Sequence, residues 1–427
     1  MIAPSPSADT ATSAPDLPPA GPDLERLRCP RPKQTDRCTA NATGIRVALM
    51  TPWDQECGNA EYAKRLAVGL NQFATITPHE MVNLGDPDLE LKRFRRRRIC
   101  RSQVREVNRS GADLIHIQHE FCFFGRGIRE ANRNFRHAMR RLRKPVVVTL
   151  HTWPWSKPTG RRRLSRFFGQ VRERLSKRHF VRSLRRANAI VVHSTDTYQK
   201  IIGDFPRLKK KLFVVPIQVE PIDSAVVAPP LRKRPGERWI VLPGFVSRYK
   251  GHSHAIASLP HLPADYRLVI AGGVHPKDKT GNGYWMQLLT EADALGVQNR
   301  VLFTGFLTDP RQQAALLRQA DCFLLPYDEV GQSGSAVLAD SLSYFKPVIT
   351  STAKSMYVYR GIRDTAYSSV SVDVSDSEVL ANTITQCVDP DAAGVPPMRH
   401  HQQAVYDCFS LDQTQHRYQR VYAFALS

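Results

Sequence analysis

The chain has 427 residues, more than one ordinary hydrophobic core supports, so two domains are expected. Its 61 Lys and Arg against 39 Asp and Glu leave a formal net charge of +22, an excess that calls for an anionic partner such as nucleotide phosphates, lipid headgroups or nucleic acid. An apolar fraction of 42% argues against general disorder. No apolar run approaches the ~20 residues needed to span a bilayer, and the N-terminus lacks the basic and apolar regions of a signal peptide.

Residues 1–43 are rich in Pro, Ala, Ser and Asp and are expected to form a flexible tail. Residues 45–50 then read as a strand, a turn with Pro52, Cys57 and Gly58 follows, and 60–70 reads as a helix with Tyr62, Leu66, Ala67 and Leu70 inward. Further apolar strands are expected at 113–119, 145–151 and 189–194, with helical stretches near 127–142 and 161–186. Short apolar strands alternating with helices mean a parallel sheet covered on both faces.

This first domain is expected over 44–220, followed by a Pro-rich linker over 221–237. A second alternating set fills 238–405, with strands at 239–245, 267–273, 300–306, 322–327 and 347–351 and a helix at 311–319. Within the last segment, 406–427, Tyr418, Val421, Tyr422 and Ala425 lie at helical spacing and predict a closing amphipathic helix. The fold class is α/β: two Rossmann-like domains facing across a cleft, with a C-terminal helix.

The stretch from Asp321 to Ser351 combines an apolar strand, a turn with Gly331, Ser333, Gly334 and Ser335, and a helical segment. Such a turn gathers N–H groups at a helix start and suits an anion, although a plain tight connection has the same pattern. Both HIQH (116–119) and TLH (149–151) end strands with histidine, where open α/β sheets bind ligands. The eight cysteines show no C-x-x-C pair, so neither a disulfide framework nor a metal site is expected, and a reducing cytosol fits. No cofactor is indicated.

Seven segments carry a resemblance: CGNAEYAKRL (57–66), HIQHEFCFFG (116–125), VVTLHT (147–152), GFVSRYKGH (244–252), IAGGVHP (270–276), VLFTGF (301–306) and QSGSAVLADSLSYFKPVI (332–349). In this order they resemble glycosyltransferase family 4, over about residues 44–425. The resemblance implies the GT-B fold and a retaining, metal-independent enzyme. Such an enzyme moves a hexose from a nucleotide-diphosphate sugar to a saccharide or lipid-linked saccharide, as in polysaccharide or glycolipid synthesis.

It also implies roles for particular residues. Lys250, with Arg248, would clamp the donor diphosphate and stabilise the leaving group. The family commonly has Gly-Arg where this chain has Gly244-Phe245, so Arg248 has to supply the guanidinium. Gly58 and Asn59 would approach the phosphates from the first domain. His119 would sit near the reacting sugar, where an imidazole can donate a hydrogen bond or shuttle a proton. Glu120 and His151 are weaker candidates, and His116 and His193 read as packing. The family's two glutamates fall on Gln332 and Asp340: Asp340 would accept ribose hydroxyls, Gln332 would bond sugar hydroxyls without charge, and the Ser333, Gly334 and Ser335 amides would meet the phosphates. Glu329 restores a carboxylate only if the loop register shifts.

Two basic stretches remain. Residues 92–105 hold eight Lys and Arg, and 161–186 hold eleven with a stripe of Leu164, Phe167, Phe168, Val171 and Leu175. They read as a face for an anionic membrane surface, or as helices with their stripes in the core and their arginines in water. A cytoplasmic protein, peripheral at the inner face of the membrane, is the expected location. Nucleic acid is disfavoured because no recognised motif accompanies the charge. The alternative to an enzyme is a non-catalytic membrane-associated subunit derived from this fold.

Overall fold

A computed structural model describes residues 44–427 apart from 56, 87–88, 156–162, 221, 223–226, 275–282, 329–330, 360–367 and 390–397; side chains within 163–172 and that of His400 are also outside the description. The expected tail, Glu329, parts of the linker and most of the 161–186 stripe therefore lie outside the described residues.

The first sheet contains β1 (Ile45–Thr51), β2 (Ala74–Glu80), β3 (Leu114–His119), β4 (Val146–Leu150), β5 (Ala189–Val192) and β6 (Leu212–Val214), in the order β2-β1-β3-β4-β5-β6. The second contains β7 (Arg238–Pro243), β8 (Tyr266–Ala271), β9 (Val301–Phe303), β10 (Cys322–Leu325), β11 (Val348–Thr350) and β12 (Val370–Ser371), in the order β12-β11-β10-β7-β8-β9. Every pairing is parallel. Parallel strands need crossovers, and helices supply most of them. In the first half these are α1 (Gly58–Leu70), α2 (Arg93–Arg109), α3 (Phe121–Phe124), α4 (Ile128–Arg141), α5 (Arg163–Leu184) and α6 (Thr195–Asp204). The second half adds α7 (His252–Ser258), α8 (Gly283–Ala294), α9 (Pro310–Leu317), α10 (Ala336–Leu342) and α11 (Ser377–Val388), and α12 (Met398–Phe409) and α13 (Leu411–Leu426) close the chain.

Local chemistry sets the helix starts. The Ser194 side chain accepts from Thr197 N–H at the start of α6, and Asp309 caps α9 with Pro310 at its first position. Asp376 accepts from both Glu378 and Val379 N–H. Each such cap contributes about 1 kcal/mol.

The closing helix returns to the first domain. Val219 N–H donates to Phe409 O at 2.9 Å, and α13 packs on α1, β4 and β5. Tyr418, Val421, Tyr422 and Ala425 are all buried, as their spacing predicts. Tyr418 and Tyr62 hydroxyls lie 3.0 Å apart, and the Tyr422 hydroxyl is 2.8 Å from His116 Nδ1. Through this helix the cores under the two sheets become continuous.

Three expectations need correction. The strand expected over 300–306 is only Val301–Phe303. Leu175 is exposed, and the described part of α5 packs through Phe180, Val181 and Leu184. Cys408 is disulfide-bonded, against the expectation of reduced thiols, whereas Cys57, Cys100, Cys322 and Cys387 are free. On α2, Arg96, Cys100, Val104 and Val107 face inward while Arg93, Arg97, Arg98 and Arg101 face water. Among the described residues no helix is long and apolar enough to cross a membrane.

Candidate active site at the seam between the sheets

The segments that follow β4 and β10 meet. Thr152, just after β4, forms an antiparallel bridge with Gln332. Trp153 N–H donates to Gly331 O at 3.2 Å, and Ser333 N–H donates to His151 O at 3.0 Å. The Ser333 hydroxyl lies 3.0 Å from Leu150 O and 2.8 Å from His151 O. The turn that the sequence marks for phosphate is thus docked on the first domain. Ser333 spends its amide there, and the Ser335 side chain caps α10 by accepting from Leu338 N–H at 3.2 Å. At Gly334 a Cβ would come within 3.0 Å of Ile217 Cδ1 and 3.2 Å of His193 Cβ, so the close approach of the two domains favours a small residue.

Asp340 is engaged by a basic side chain of the first domain. Its carboxylate is 2.7 Å from Arg65 Nη1 of α1, and Arg65 also reaches Glu61 at 2.9 Å and Glu220 at 4.0 Å. Burial raises the Asp340 pKa even though Arg65 pulls it down. The pair ties α10 to the first domain.

Lys250 occupies the turn after β7. Its ammonium is buried, 2.9 Å from the Tyr327 hydroxyl and 3.5 Å from Pro243 O. Among the described residues it has no carboxylate partner. Burial lowers its pKa, because an ammonium held only by neutral oxygens loses its hydration without a counter-charge. Gly244, at φ +97°, leaves room for this ammonium where any Cβ would collide with it. Arg248 shares the turn but not the partners: it is exposed, donates to Gln287 Oε1 at 2.9 Å and lies over the Tyr284 ring at 4.7 Å.

Two neighbours were not anticipated. Ser247 Oγ and the His252 ring are buried, with no side-chain hydrogen-bond partner among the described residues, and burial with the nearby Lys250 charge pushes His252 down to about 3. Both stand inside the SRYKGH motif. Phe245 stacks on Phe306 with centroids 5.7 Å apart and planes 8° apart, and Phe306 is 51% exposed.

His119 requires a correction. Side chains alternate along a strand, and His119 shares its face with Ile115 and Ile117. That face packs under α3, α4 and α5, where the imidazole lies among Phe121, Phe124, Phe135 and Phe180 at centroid distances of 4.6–5.2 Å. Among the described residues neither buried ring nitrogen has a hydrogen-bond partner, and burial pushes the pKa down to about 3. The opposite face carries His116 and Gln118. Gln118 Oε1 is 2.8 Å from His151 Nε2, whose Nδ1 is 3.2 Å from His193 Nε2, and His193 Nδ1 is 2.9 Å from Val215 O. This chain ends beside Gly334. Glu120 turns toward the seam, where Thr152 Oγ1 donates to its carboxylate; burial raises it to about 7 despite that bond and one from Phe121 N–H.

Gly58 and Asn59 form the first turn of α1, and a Cβ at Gly58 would meet nothing. Cys57 supplies no side-chain cap to this positive helix end. Among the described residues no three His, Cys, Asp or Glu side chains come together to hold a metal.

Two family matches divide the chain. Glycosyltransferase Family 4 matches residues 40–221, and Glycosyl transferases group 1 matches residues 227–400. The chain belongs to glycosyltransferase family 4. The fold is GT-B, and solved structures share it at low identity. Anabaena HepE, solved with UDP and glucose, is 14% identical, covers 88% of this chain and 99% of its own, and superposes with a TM-score of 0.62. Sucrose-phosphate synthase from Thermosynechococcus elongatus is 15% identical over 88% of this chain and 98% of its own, at 0.63. An alpha,alpha-trehalose-phosphate synthase (UDP-forming) from Burkholderia xenovorans, solved with glucose-6-phosphate, is 10% identical over 89% and 99%, at 0.63. No curated protein matches the sequence. In this family 4 chain the docked loop, the Arg65–Asp340 pair and α13 are among the contacts that join the two domains.

Proposed function

We propose that the chain is a retaining glycosyltransferase that moves a hexose from a nucleotide-diphosphate sugar to a saccharide or lipid-linked saccharide acceptor. The observation that carries this reading is Lys250, a buried ammonium with only neutral oxygens around it at the C-terminal end of a parallel sheet. An anionic ligand would offset the cost of burying that charge, and such strand ends are where open α/β sheets bind ligands. HepE, solved with UDP and with UDP-glucose, supports a nucleotide sugar as that ligand.

In the proposed reaction the bond between the anomeric carbon and the phosphate oxygen breaks, and the electron pair leaves with the nucleoside diphosphate. Lys250 stabilises the charge that develops there, Arg248 adds a second cation if it swings from Gln287, and the α1 amides at Gly58 and Asn59 face the phosphates from the other wall. Together these cations and amides would do the work a divalent metal does elsewhere. The acceptor hydroxyl attacks on the same face as the leaving group and gives its proton to the departing phosphate oxygen, which preserves the anomeric configuration. Asp340 serves the domain seam, and His151, half-buried and held by Gln118, takes the cleft position first assigned to His119.

The exposed arginines of α2, with Phe94 65% exposed among them, support docking on an anionic membrane surface. Co-sedimentation with phosphatidylglycerol vesicles tests this; equal pelleting with uncharged vesicles would contradict it. The docked loop and the neutral Gln332 favour one other reading, a non-catalytic subunit of this fold. Calorimetry and donor hydrolysis with UDP-glucose, GDP-mannose and ADP-glucose separate the two. Binding and turnover of at least one is expected, and neither with any would favour the subunit.

A further inference from the structure

The seam holds a carboxylate, Glu120, that the proposed reaction has not used and that Arg65 does not engage. Thr152 and Gln332 are directly opposed in an antiparallel bridge, and opposed residues put their side chains on one face about 5 Å apart. The Thr152 hydroxyl donates to Glu120 Oε1. Glu120, Thr152 and the Gln332 amide are thereby gathered on one side of the junction between β3, β4 and the loop after β10. All three are half-buried rather than fully enclosed. Among the described residues Glu120 has no basic partner. Asp340, the carboxylate on the helix after the loop, is already engaged by Arg65.

We infer that Glu120 is the sugar-facing carboxylate of this enzyme, supplied across the seam by the first domain and held in place by Thr152 opposite Gln332. The inference rests on the proposed glycosyl transfer. As the bond to phosphate breaks, positive charge builds at the anomeric carbon. Gln332 can bond sugar hydroxyls but brings no charge, whereas an ionised Glu120 accepts hydroxyls and stabilises that centre. The carboxylate stays unbonded to carbon throughout, and the bond changes are those of the transfer itself. Its position explains why Thr152 carries a hydroxyl: the donated hydrogen bond fixes the carboxyl rotamer without neutralising it, which a lysine or arginine there would do.

The test compares wild type, Glu120→Gln and Glu120→Gln/Gln332→Glu. Hydrolysis is followed with UDP-glucose, GDP-mannose and ADP-glucose, and affinity is measured for UDP, GDP and ADP. For the donor that wild type hydrolyses, Glu120→Gln is expected to lower kcat about 30-fold while diphosphate affinity changes less than about twofold, since the carboxylate faces sugar rather than phosphate. The double variant returns a carboxylate from the opposed residue and is expected to recover at least about threefold of that loss. A wild-type kcat in Glu120→Gln, a double variant no faster than the single one, or a loss of diphosphate affinity along with turnover would each overturn the inference. A wild type that binds none of the three diphosphates and hydrolyses none of the three donors would overturn the glycosyl-transfer reading, and this inference with it.

Discussion

Lys250 and His119 make an instructive pair. Both are titratable, both are buried, and the family resemblance assigns both to catalysis. His119 is surrounded by four phenylalanine rings, and burial alone takes its pKa down to about 3. In that state it is a neutral ring of core-filling shape. Lys250 is surrounded by a tyrosine hydroxyl and a carbonyl. These oxygens keep an ammonium in place without cancelling its charge. Burial does not mark a functional group; the polarity of what the buried group faces does.

The largest effect is expected from removing the charge and keeping the stem. Lys250→Met should lower transfer at least about tenfold while leaving stability unchanged or about 1 kcal/mol higher, because an unpaired buried ammonium is costly. Turnover assays and urea denaturation read the two halves of that expectation. Near-normal turnover would break the comparison.

His119→Phe should behave oppositely. Turnover is retained, and stability rises by about 1 kcal/mol at neutral pH, because two unpaired buried nitrogens disappear. The pH dependence sharpens this. With a folded pKa near 3, below the ordinary 6.5, the unfolded state binds more protons between those values. The stability His119 permits is therefore intact above about 6.5 and lost as pH falls toward 3, at up to about 1.4 kcal/mol per pH unit. In His119→Phe that slope should be shallower by one proton's worth in denaturation series from pH 7 to 4. An unchanged slope would mean the imidazole titrates normally.

A smaller effect is expected at the domain tie. Arg65 and Asp340 side chains are 34% and 41% exposed, so Arg65→Ala should cost no more than about 1 kcal/mol and leave diphosphate affinity nearly unchanged. A tenfold loss of affinity in calorimetry would return Asp340 to the donor site.

What was legible in the sequence follows from where each strand sits. The central strands β1, β3, β4, β5, β7, β8, β10 and β11 are covered on both faces and read as apolar runs. The sequence reading missed β2, β6 and β12 and overextended β9, and all four lie at sheet edges. β2, ATITPHE, carries Pro78, His79 and Glu80, tolerable only where one side of the strand is unpaired. Lys250 was legible because its turn needs Gly244 and Gly251 around it. His119 was misplaced although the signal existed: strand parity puts it with Ile115 and Ile117, and His116 with Gln118. The seam itself was not legible. Nothing local in Ser333 or Asp340 announces Leu150, His151 or Arg65, which lie 183, 182 and 275 residues away.

The most direct measurement is calorimetric titration of wild type and Lys250→Met with UDP, GDP and ADP. Wild type is predicted to bind at least one of the three, with affinity for it falling at least about tenfold in the variant. No binding by wild type, or equal binding by the two proteins, would contradict a diphosphate site built on Lys250.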